Sequence, residues 1–143
     1  MPQTSTQPTF LPLTTSAATA AAGGRGEQAV RTAAAELLRR AAEADATAAD
    51  CWTALLANCD SPGRRLLPAR LASLTEAAAA YAGASWWRGE GSHLRRRVVQ
   101  AQQVLVEAIR TGDGEVFAEA FVGYDQSVAT TVVAVRSRLA SPA

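Results

Sequence analysis

The residues best suited to chemistry in this 143-residue chain are a run of arginines and the tryptophans just before it, Trp86-Trp87-Arg88 and Arg95-Arg96-Arg97. Guanidinium groups recognise carboxylates and phosphates through paired N–H donors. A tryptophan beside an arginine is the kind of anchor that dominates protein interfaces. Trp86, Trp87, Arg88, Arg95, Arg96 and Arg97 therefore form the candidate partner-binding set, with a protein partner expected and an acidic protein, phosphate or nucleic acid as the chemistry such arginines suit. For catalysis the chain offers little. His93 has the chemistry of a general base but sits beside Ser92 and three arginines, which reads as surface. Glu36 and Glu43 lie two helical turns apart without the Glu-x-x-His partners of a di-iron carboxylate bundle. There is no glycine-rich phosphate loop, nucleophile elbow or zinc spacing. A non-enzymatic protein without cofactor or metal is the expectation.

Cys51 and Cys59 stand eight positions apart in a segment predicted to be helical. That spacing separates their α-carbons by roughly 12 Å, beyond disulfide reach. Both are expected to be small buried residues in a reducing cytoplasm. The first two dozen residues lack the basic and leucine-rich regions of a signal peptide, and no 18-residue apolar run suggests a membrane span.

The formal net charge is +1, so bulk attraction to nucleic acid or membrane is not expected. There is no lysine, and Met1, Asn58 and Ile109 are each the sole residue of their type. Together with the alanine excess, this points to a high-G+C bacterial genome such as an actinobacterium's. Aromatics make up only 6% of the chain, so its large anchors are few and the core should be thin, packed through alanine.

Four amphipathic stretches must position these residues. The first helix is expected over 26–58, with Val30, Ala34, Leu37, Ala41, Ala44, Ala48, Cys51 and Leu55 on one face and Asp45 at its edge. Asp60-Ser61-Pro62-Gly63 reads as a turn. The second helix is expected over 67–83, with Pro68 in its first turn, and a linker follows from Ala84 to Gly91. The third is expected over 93–111, capped by Ser92, and the fourth over 114–139, capped by Asp113. Residues 1–24 are too poor in large apolar groups to repay ordering, so a disordered tail is expected, with Phe10 and Leu11 able to dock.

The domain expected is thus a single antiparallel four-helix bundle over 25–143, with the first helix projecting and offering a homo-oligomer surface. Up-down-up-down order would bring Arg25, Arg31, Arg88, Arg95, Arg96, Arg97, Arg136 and Arg138 to one pole, against Glu27 and Glu90. The opposite pole would hold Glu107, Asp113, Glu115 and Glu119, partly offset by Arg64, Arg65 and Arg110.

Trp87-Arg88-Gly89, set between two alanine-rich helices, resembles the Trp-x-Gly turn of the WXG100 family. That resemblance implies a small helical protein exported by a type VII system. The chain departs from the pattern in its short second helix, its extra flanking helices and its lack of a Tyr-x-x-x-Asp/Glu export signal after the last helix. The stretch from Gly112-Asp113 to Tyr124-Asp125 is similar to hairpins in the effector domains of GntR-type regulators. Those domains bind metal through several histidines; here Asp125 stands where a histidine would be wanted and no DNA-binding winged domain is present.

The reading that emerges is a helical interaction or scaffold protein. The alternatives are a small-molecule-binding effector bundle, with an apolar cavity bordered by Trp52, Phe117, Phe121 and Tyr124, or, as the resemblance implies, a WXG100-like secreted helical protein.

Overall fold

A computed structural model describes residues 8–140, and every regular element among them is a helix. The order is α1 (Pro12–Ala22), α2 (Gln28–Leu56), α3 (Pro62–Ala82), α4 (Ala84–Arg88), α5 (Ser92–Thr111) and α6 (Gly114–Ala140). The long helices α2, α3, α5 and α6 follow the apolar periodicity. On α2, residues Ala34, Leu37, Ala41, Ala44, Ala48, Cys51 and Leu55 are buried, and on α3 so are Leu67, Leu71, Leu74, Ala78 and Tyr81. On α5 and α6 the buried positions include Leu94, Val98, Leu105 and Ala108, then Phe117, Phe121, Tyr124, Val128 and Val135.

Side-chain contacts fix the directions of these helices. Asp50 accepts from the Gly63 amide at 2.7 Å, Glu43 pairs with Arg70, and Arg40 bonds Ser73, so α2 and α3 run antiparallel. The buried Tyr124 hydroxyl donates to the Leu71 carbonyl at 3.0 Å, and Arg138 reaches the Ala82 carbonyl, so α6 runs parallel to α3. The left-handed residue Gly112 (φ 79°) ends α5, and Asp113 caps α6 through the Val116 amide at 3.0 Å.

The largest departure from expectation lies at the N-terminus. Residues 12–22 are an ordered helix rather than part of a tail, while residues 1–7 of that expected tail lie outside the described residues. An 11-residue helix is marginal in water by itself. What holds α1 is a pair of buried carboxylates on two other helices. Asp45 of α2 accepts from the amides of Thr9, Phe10 and Leu11 at 3.3, 2.8 and 2.8 Å. Asp125 of α6 accepts from Leu13 and Thr14 at 3.0 and 2.8 Å. Pro12, in the first turn, has no amide to satisfy, and the Thr15 amide already reaches the Leu11 carbonyl. Every amide that the start of a helix leaves open thus has a partner. The negative carboxylates also meet the positive end of the α1 dipole. Leu11, Ala18 and Ala21 pack into the core, and α1 lies between α2 and α6, so among the described residues α1 joins the four long helices around the core.

Other boundaries shift for local reasons. The predicted turn at 60–63 is the start of α3: Ser61 accepts from the Arg64 amide at 3.0 Å, and Pro62 occupies the first turn. Pro68 therefore lies inside the helix. Gly83 (φ 88°) breaks α3 from α4, and the expected linker contains that short helix. Ser92 forms part of α5 and makes no cap bond; Gly91 holds the capping position. The first long helix was expected to project, but it pairs along its length with α3 and α1. Its outward side carries Glu36, Arg39, Arg40 and Glu43, already paired with one another.

Candidate interaction surface

The arginine pole is assembled by chain ends. Arg25 precedes α2, Arg88 ends α4, Arg95, Arg96 and Arg97 occupy the first turns of α5, and Arg136 and Arg138 end α6. Two contacts tie these ends together. The Arg138 guanidinium lies 5.8 Å from the Trp86 ring centroid, a cation–π arrangement, and also donates to the Ala82 carbonyl at 3.4 Å. Arg95 donates through Nε to the Trp87 carbonyl at 3.3 Å. Trp87 is buried at the end of the core and Trp86 is half-buried against Gly91, whose Cα lies so close that an added β-carbon would overlap the indole. One tryptophan thus closes the core and its neighbour keeps a partly open face.

Arg88, Arg96 and Arg97 are exposed; Leu94 and Val98 take the buried side of α5 and leave the two α5 arginines facing outward. Among the described residues, the ion pairs join Arg39 and Arg40 to Glu36, Arg39 and Arg70 to Glu43, Arg65 to Asp60, and Arg110 to Glu107. None involves an arginine of the pole. Arg31 bonds Gln28 at 2.8 Å, and its buried Nε has no partner among the described residues.

At the opposite end several charges have internal partners, while Glu115 and Glu119 are exposed without an ion pair among the described residues. Glu107 is held below the usual carboxylate range by Arg110, and Asp60 by Arg65 and its bond from the Ser61 amide. Arg64 donates to the carbonyls of Cys59 and Ile109, and Asp113 is engaged as a helix cap.

The remaining candidates find structural explanations. Glu36 is bonded by Arg39 and Arg40, which lower its pKa. His93 is exposed. Cys51 is buried, and desolvation pushes its thiol up to about 11. Cys59, expected to be buried, is exposed because α2 ends before it, and both thiols are free. Asp125 gives both oxygens to α1 amides, so the metal-ligand position suggested by the effector-domain likeness is already engaged.

The space between Trp52, Phe117 and Phe121 is taken by the chain itself. Phe10 packs against them with ring centroids at 6.4, 6.0 and 5.2 Å. Tyr124 bonds Thr75 and Leu71 beneath this cluster, and burial raises its pKa.

Sequence reasoning missed the roles of Asp45 and Asp125. The available signal was an acid within each apolar stripe: Asp45 beside Ala44 and Ala48, and Asp125 between Tyr124 and Val128. Among the described residues no group of histidine, cysteine and acidic side chains is arranged to hold a metal, and no helix is long and apolar enough to cross a membrane. No protein-family model matches the chain, and no match was found among curated proteins or solved structures.

Proposed function

We propose that this chain is a non-enzymatic helical interaction protein that engages an acidic protein partner through Trp86, Arg88, Arg95, Arg96 and Arg97, with Trp87 anchoring that face from beneath. One observation carries the reading: the pole arginines have no carboxylate partner among the described residues, whereas Arg39, Arg40, Arg65, Arg70 and Arg110 all have one. An unpaired guanidinium is hydrated and available, and a half-buried indole beside it supplies apolar contact area. The four long helices, read as an antiparallel bundle reinforced by α1, serve as the rigid support for that face. The free thiols favour a cytoplasmic setting.

The test is affinity capture from the native host with the wild-type chain and with the triple variant Arg95→Gln, Arg96→Gln, Arg97→Gln, at two salt concentrations. The expected result is an acid-rich partner that the variant loses and that high salt weakens. Identical captured proteins for both chains would refute the assignment.

A further inference from the structure

A cavity of about 500 Å³ opens on another part of the same pole, bordered by the end of α1, the approach to α2, Tyr81 of α3 and the end of α6. Its lining divides into two kinds. Val30 and Leu139 supply apolar walls, while Arg25 and Arg136 supply positive charge. Tyr81 also lines it: the residue is only 6% exposed, and its hydroxyl, which has no hydrogen-bond partner among the described residues, is not shut off from solvent. A hydroxyl open to the cavity in this way can bond water or a ligand. Glu27 also borders the cavity and caps α2 by position, but its side chain makes no cap bond, so the first amides of α2 are left to solvent or a ligand. With Arg25 and Arg136 against Glu27, the lining stays net positive.

The geometry points to this cavity as a binding site for a small carboxylic acid carrying an alkyl or aryl body. The carboxylate accepts from the Tyr81 hydroxyl and pairs with the guanidinium groups of Arg25 and Arg136, bonds of the charge-assisted kind. Its body covers Val30 and Leu139, which an inorganic anion would leave in water. The residues involved are distinct from the tryptophan–arginine face proposed for the protein partner, so either assignment can fail without the other.

Isothermal titration calorimetry of the full chain with sodium decanoate tests the site, with decanol and inorganic phosphate as comparators. The expected result is saturable one-to-one binding of decanoate, tighter than that of either comparator. Tyr81→Phe and Arg136→Gln should each weaken it by about tenfold, as removal of a bond to a charged group does. The variant Arg96→Gln, Arg97→Gln should bind decanoate as the wild type does, which separates this site from the partner face. Failure of decanoate to saturate, equal binding of decanol or phosphate, or affinity unmoved by both Tyr81→Phe and Arg136→Gln would overturn the proposal. Circular dichroism of each variant confirms that a loss of binding is not a loss of fold.

Discussion

The cradle around the start of α1 and the arginine pole treat charge in opposite ways. At the cradle, Asp45 and Asp125 are 9% and 3% exposed, and neither forms an ion pair among the described residues. Among the described residues, their carboxylate oxygens accept from backbone amides alone. At the pole, Arg88, Arg96 and Arg97 are exposed and have no protein counter-charge among the described residues. Burial requires a charge to be satisfied within the fold, because desolvation is costly; at the surface, water suffices. A charge in the interior therefore reports on architecture, whereas an unpaired charge outside remains available for another molecule.

This contrast predicts a graded series of effects. The largest belongs to the cradle. Asp45→Ala or Asp125→Ala leaves amides at and just before the start of α1, including the buried one of Leu11 or Thr14, without an acceptor and should cost about 2–4 kcal/mol, measured by urea unfolding. Hydrogen exchange should show α1 opening first, and Asp125→Asn, which retains one acceptor oxygen, should cost less than Asp125→Ala. If either alanine variant matched wild-type stability, the cradle would not be what holds α1.

Next comes Phe10→Ala, which opens a void against Trp52, Phe117 and Phe121 and should cost about 2–3 kcal/mol, less than a fully enclosed phenylalanine, because Phe10 is only partly buried. Tryptophan fluorescence should shift as Trp52 gains solvent.

At the pole, replacing Arg96 or Arg97 by Gln should move stability by less than about 0.5 kcal/mol. A large loss there would show that these arginines support the fold and would erase the contrast.

The thiols sharpen it further without any substitution. Cys59 should react with a thiol reagent in the native protein at neutral pH, while Cys51 should react only on unfolding. Because the folded pKa of Cys51 is raised to about 11 from an ordinary value near 9, the folded state holds that proton more tightly. Its contribution to stability is therefore complete below pH about 9 and declines as pH rises toward about 11. Alkaline unfolding of Cys51→Ala should show a shallower decline over that interval.

Much of the molecule was legible as pattern. The faces of α2, α3, α5 and α6 repeat at threes and fours, and a helix must bury such a stripe wherever its neighbours come from. Asp113 was legible as a cap because it bonds three residues along its own helix. The start of α3 was misread because Ser61-Pro62 serves equally as a turn and as a cap followed by a first-turn proline. An arginine-rich pole is what alternating directions of the long helices would imply, but the contact of Arg138 with Trp86 depends on the path of α4, which carries only five residues and too little periodicity to read.

Sequence by itself determined that the chain is helical, where the long helices lie and which of their sides turn inward, because those properties arise from residues within a few positions of one another. Only the tertiary structure decided that α1 is ordered, that Phe10 fills the aromatic space and that Asp45 and Asp125 act as its caps. Those bonds join residues more than thirty positions apart, and for Asp125 more than a hundred. An alanine-rich stretch carries too few large side chains to announce its own docking; its order comes from acceptors that other helices bring to it.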